Sequence, residues 1–228
     1  MKSFNDTNVP IAYVFLFEPQ NEIAKHIICK EYCEVYWSSN VVDEFQNRVV
    51  EKKDYLLSFF DKLQIELYAH SKLYYSFKQL EDFAKNFSYE DAKHERDVMM
   101  SLKPFWNYYF QHSTESMTEN MTEPVRDFRI FLKTIIFERM DFCEDSYVLS
   151  DNIHKRTDEY SKLYALLDSY DEVHDEDIQI VLDAHDFSKT LDNPLDFITF
   201  DENFHEAVLK SNLSFNKVKG LKDYDFLT

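Results

Sequence analysis

The stretch "FITFDENF", residues 197–204, decides how the chain is to be read. Phe197, Ile198 and Thr199 have the composition of the end of a buried strand. Asp201 follows where that strand should meet solvent, and "ENFHEAVLK" (202–210) then takes up helical spacing. Asp201 is open to two uses. It is an ordinary turn residue, or it is aimed at a ligand from the carboxyl end of a strand, where parallel sheets keep their sites. The choice depends on whether other acids stand at matching places.

Working outward, the same rhythm recurs at the N-terminus. "KSF" (2–4) reads as a short strand ending at "NDTN". An apolar run, "VPIAYVFLF" (9–17), and a helix, "NEIAKHIICKEY" (21–32), lead to a second strand, "CEVYW" (33–37). "SSN" (38–40) then caps a helix beginning "VVDEFQNRVV" (41–50). Toward the C-terminus, "DEDIQIVLDAHDFSKTL" (175–191) is a helix, "LDFITF" (195–200) a strand and "LSF" (213–215) a last short strand. The middle differs. "DYLLSFFDKLQIELYAHSKLYYSFKQL" (54–80) and "PVRDFRIFLKTIIFERM" (124–140) carry apolar residues three and four apart, the mark of amphipathic helices. Pro104 and Pro124 mark breaks or helix starts. The expectation is one α/β domain over 1–228, with an all-helical insertion at 51–170.

Composition removes several function classes. Gly220 is the only glycine in 228 residues, and neither a P-loop nor a dinucleotide fingerprint can be written without glycines. The net charge of −18 repels phosphate backbones, so any nucleic-acid contact needs a local basic patch or a bound cation. Cys29, Cys33 and Cys143 cannot form a closed disulfide set, and the opening "MKSFNDTN" is not a signal peptide. The longest apolar run is too short to span a bilayer. These features predict a cytoplasmic protein with no membrane partner.

Four acids stand at or near one rim of the predicted sheet. Asp6 ends the first strand and Asp201 the last main one. Glu44 lies in the first turns of the helix after the second strand. It sits beside the Val42/Phe45/Val49 stripe, while Asp43 falls on the polar side. Asp177 shares a helix face with Ile180, Val181 and Ala184. Each acid has an ordinary alternative. Asp177 complements a helix dipole, and Glu44 pairs with Arg48 one turn on. Taken together, crowded carboxylates raise one another's proton affinity unless a cation bridges them. Oxygen-only ligands suit Mg²⁺ or Mn²⁺, and such a cluster open to solvent suggests phosphodiester chemistry.

"NDTNV" (5–9), "SSNVVDEF" (38–45), "DIQIVLDA" (177–184) and "ITFDENF" (198–204) occur in the order found in the PIN-domain nucleases, the family that includes the VapC-type toxins, and the chain resembles that family. "NKVKGLKDYDF" (216–226) is similar to its C-terminal segment. The resemblance covers about the first 50 and last 55 residues. It implies a three-layer fold around a mainly parallel sheet, with Asp6, Glu44, Asp177 and Asp201 as metal-binding, catalytic acids. Thr199 would orient them, and Asn8 and Asn203 would position carboxylates or water. Thr199 also suits a strand, and Asn203 a helix cap. The chain departs from the family at Asn5, where an apolar residue is usual, and in the long gap from Glu44 to Asp177.

The implied activity is a divalent-metal-dependent endoribonuclease, a toxin or defence enzyme, acting on single-stranded or looped RNA. The alternative is an inactive PIN-like module whose insertion binds a protein partner. An antitoxin and a homodimer fit the family as well. Within the insertion, Arg126, Arg129 and Lys133 share a helix face suited to phosphates, and "IHKR" adds His154, Lys155 and Arg156. "FWNYYF" (105–110) offers rings for base stacking, although aromatics at helical spacing are also core formers. His70, His94 and His112 show no ligand spacing.

Overall fold

β-forming residues near the N-terminus open a parallel sheet in the computed structural model. The structure describes residues 1–70, 76–87, 89, 92–112, 122–150, 160–170 and 173–227. His154, Lys155 and Arg156, and the side chains of His70, Phe110 and His112, lie outside that description. The described residues fall into two compact units, 1–48 with 140–228, and 49–139.

The first unit holds the sheet. Its strands are β1 (Lys2–Asn5), β2 (Glu34–Trp37), β3 (Tyr147–Leu149), β4 (Asp196–Ile198) and β5 (Lys217–Lys219). All pairs are parallel and the spatial order is β3-β2-β1-β4-β5. Its helices are α1 (Asn8–Val14), α2 (Asn21–His26), the start of α3 (Ser39–His70), the end of α6 (Thr122–Ser146), α7 (Ser161–Asp168), α8 (Asp175–Thr190) and α9 (Glu202–Lys210). Strands β1, β2 and β4 are short and almost wholly buried, as central strands of a parallel sheet must be. Phe197 anchors the core, its ring 5.1 Å from Phe215, 5.9 Å from Phe204 and 6.3 Å from Phe4. The winding runs outward from β1 to β2 and β3, then resumes on the other side of β1 with β4. That reversal falls between β1 and β4, and the carboxyl ends of strands at such a point are where open α/β sheets bind ligands.

The second unit is helical. It contains the rest of α3 and α6, with α4 (Phe77–Lys85) and α5 (Ala92–His112). Leu56, Phe59, Phe60, Leu63, Phe105, Phe128 and Leu132 are buried at helical spacing. The rings of Phe60, Phe105 and Phe128 meet pairwise at 5.1–5.5 Å. Among the described residues no helix is long and apolar enough to cross a membrane.

Three expectations are corrected. The segment 51–170 is not all helical, because β3 lies inside it and pairs with β2, and the helical unit ends at Arg139. This three-residue edge strand leaves Val148 and Leu149 exposed, so it has neither the length nor the burial that makes a strand visible in sequence. The last strand is "KVK" (217–219) rather than "LSF" (213–215), since Phe215 is used against Phe197 instead. Pro104 sits inside α5 and does not break it, because Leu102 and Phe105 on either side are fully buried and hold that turn by packing. The chain also economises on glycine. Asn212 takes the left-handed conformation after α9, at φ 51°, where glycine is usual. Gly220 has no positive φ. It is there for space, since a Cβ would lie 3.1 Å from the His205 ring.

Candidate metal centre

Asp6 is the first residue past β1, and its N–H still donates to Ile198 O of β4 at 2.9 Å. This places the carboxylate at the carboxyl ends of the two paired strands. It is 3 % exposed. Oδ1 accepts from Thr7 N (2.7 Å), and Oδ2 accepts from Asn8 Nδ2 (2.6 Å) and Thr199 Oγ1 (2.7 Å). Burial pushes the carboxyl up to about 7. The charges of Asp177 and Glu44 push the same way, and the Thr199 and Thr7 hydrogen bonds act against them. A group held by three donors and still so hard to ionise is in a strongly negative, dry environment.

Thr199, fully buried, follows β4 directly. Besides donating to Asp6, its hydroxyl accepts from Asn8 Nδ2 at 3.2 Å and from Asp201 N at 3.1 Å. One donor and two acceptor positions are all a hydroxyl has, so its orientation is fixed. Asn8 completes the stitch by accepting from Phe200 N at 2.9 Å.

The other acids arrive on helices. Glu44 Oε2 accepts from Thr7 Oγ1 at 2.6 Å, while Oε1 pairs with Arg48 Nη2 at 2.5 Å. Asp177, in the first turn of α8, accepts from His174 N at 3.2 Å. Its carboxyl is raised by burial, against that hydrogen bond, and further by Glu44 and Asp201. Asp201 is exposed and caps α9 by accepting from Phe204 N at 2.8 Å. The four acids therefore act on one another as a chain of charges, Asp6 with Asp177 and Glu44, and Asp177 with Glu44 and Asp201. Asn203 is exposed in the first turn of α9, and no hydrogen bond among the described residues ties it to them.

Among the described residues, no three His, Cys, Asp or Glu side chains are grouped closely enough to hold a metal ion directly. Glu44, Asp177 and Asp201 are each turned to a local partner, which keeps the carboxylates apart. The donor set is all oxygen, and the carboxyls of Asp6 and Asp177 are raised by burial and by their acidic neighbours. That chemistry fits a hard divalent cation held partly through water.

Sequence reasoning missed Thr7, whose hydroxyl links the Asp6 turn to Glu44 across the fold. The basic face of the helical unit carries its own partners. Arg126 pairs with Asp127 at 3.1 Å, Arg129 is bonded to Asp61, and Lys133 lies 5.9 Å from the Phe137 ring. Phe105 and Tyr109 are core residues, Trp106 meets Phe77 edge-on, and Tyr108 stacks on Phe131. His94 meets Glu51 at 3.3 Å. Neither a family model, nor a curated protein, nor a solved structure matches this chain.

Proposed function

We propose that this chain is a divalent-metal-dependent endoribonuclease of the PIN-domain type, built on a three-layer form of its α/β fold and acting on single-stranded or looped RNA as a toxin or defence enzyme. The observation that carries this reading is Asp6. It is a buried carboxylate at the sheet's reversal point, pushed to about 7 by burial and by two neighbouring acids, and oriented by Thr7, Asn8 and Thr199. So much unfavourable charge at the strand ends where such sheets bind ligands is explained by a cation that relieves it. When bound, Mg²⁺ or Mn²⁺ would supply a Lewis acid for a phosphoryl oxygen and a water of lowered pKa. Asp6, Glu44, Asp177 and Asp201 would hold the cation partly through water, since no three of them stand close enough to bind it directly. Thr199 and Asn8 would keep Asp6 in one orientation, and Thr7 would do the same for Glu44. Asp201, exposed at the rim, would face the substrate side.

The test is cleavage of a labelled unstructured RNA and of a stem-loop with Mn²⁺ or Mg²⁺, wild type beside Asp6→Asn. The expected result is metal-dependent cleavage leaving a 5′-phosphate, abolished by chelator and reduced at least a hundredfold in the variant. No cleavage with either metal on either RNA would reject the activity. The second reading, an inactive interaction module, draws on the Arg48–Glu44 ion pair and on the paired basic residues of the helical unit. It predicts that neither metal nor RNA binds, and that a protein partner is lost when that unit is altered.

A further inference from the structure

Asp183 is a carboxylate with no exposed surface, in the middle of α8. Burying an ionised group is costly unless it is paired. Here Asn40 Nδ2, at the start of α3, donates to Asp183 Oδ2 at 2.8 Å. Asn40 stands one turn before Glu44, about 6 Å along α3, and Asp183 six residues past Asp177, about 9 Å along α8. The Asn40–Asp183 hydrogen bond thus ties the start of α3 to α8. The charge of Glu44, farther along α3, acts on Asp177 in the first turn of α8. The carboxylates that act most on Asp177 are Glu44 and Asp201, not Asp183. Buried Ser38, with Oγ 3.5 Å from Val41 N, holds the start of α3 where β2 ends.

We propose that the Asn40–Asp183 hydrogen bond is a positioning contact of the metal centre: it holds the start of the helix bearing Glu44 against the helix bearing Asp177, and so sets the affinity for the divalent cation. The inference rests on the metal-site reading above. The contact keeps two mutually repelling ligands at a fixed spacing before any cation arrives. Asp183 acts through geometry and not as a ligand.

The experiment is Mn²⁺ titration calorimetry on the full chain, with melting curves in chelator for every variant. Asn40→Ala removes the donor at a half-buried helix start and should weaken Mn²⁺ binding about 10- to 100-fold, the range for loss of a ligand-orienting partner. Asp183→Asn keeps an acceptor oxygen for the Asn40 amide and should stay within about twofold of wild type. The exchanged pair, Asn40→Asp with Asp183→Asn, rebuilds the bond in reverse and should restore affinity relative to Asn40→Ala. Unchanged Mn²⁺ affinity in Asn40→Ala would overturn the inference, whatever happens to its melting temperature. So would an equal loss in Asp183→Asn, which would make the charge the agent. If wild type binds no Mn²⁺, the metal-site reading itself falls and takes this inference with it.

Discussion

Asp6 joins the local chemistry of a strand end to the electrostatics of the site. Its folded pKa, about 7, lies above the 3.8 of a free aspartate, so the folded state binds the proton more tightly than the unfolded one. The stabilising contribution is full below about pH 4 and is lost as pH rises through about 7, worth a few kcal/mol at most. Melting curves in chelator between pH 5 and 8 should therefore fall more steeply for wild type than for Asp6→Asn, and the variant should melt higher at pH 8. Parallel curves would show that Asp6 is not the group responsible. With Mn²⁺ present the sign should reverse, because the cation and the proton compete for the same oxygens. Thr199→Val tests the hydroxyl. Without it Asp6 loses a bond that favours its ionised form, and the carboxyl should move further up. Mn²⁺ affinity at pH 7 should drop about tenfold and the deficit should shrink by pH 9; a deficit independent of pH would argue for lost packing instead.

At the scale of elements, the helical unit has a polar lock in its interior. Lys52 of α3 pairs with Asp97 of α5 at 3.0 Å, with side chains 8 % and 0 % exposed. Tyr55, one turn from Lys52, also donates to Asp97. Removing Lys52 leaves the buried Asp97 carboxylate to the Tyr55 hydroxyl and the more distant Arg96, at 3.9 Å. Lys52→Met should therefore destabilise by about 3–5 kcal/mol, read from urea unfolding. Combining it with Asp97→Leu should recover most of that loss, since apolar replacement of both charges is often neutral. A double variant as unstable as the single one would show that the pair contributes more than mutual compensation.

For the whole molecule, the charge of −18 makes RNA binding unfavourable except where cations are free to meet phosphates. Arg126 and Arg129 are engaged with Asp127 and Asp61, and Lys133 lies over Phe137. A face gripping three phosphates of a single strand would lose about two units of log–log salt slope when all three are replaced. The expected loss on replacing all three by Gln is under one unit, measured by RNA affinity at two salt concentrations. A loss of two units or more would restore this face as the RNA grip. Metal should stabilise the native chain by about 2.7 kcal/mol at a hundredfold excess over Kd, seen as a higher melting temperature.

The sequence alone determined what depends on neighbours within a turn or a strand: that Asp6 and Asp201 follow β1 and β4, that Thr199 lies between β4 and Asp201, that Asp177 sits in the first turn of an amphipathic helix, and that residues 54–70 and 124–140 are helical. Strand composition and the 3.6-residue period write these into local order. Edge strands β3 and β5 left no such mark, being three residues long and half exposed. Tertiary structure alone decided that Thr7 reaches Glu44, that Asn40 reaches Asp183 across 143 residues, and that Asp61 takes Arg129 across 68. It alone made Asp6 a carboxyl of pKa about 7, because burial and the charges of Asp177 and Glu44 exist only once the chain has crossed back to bring them together.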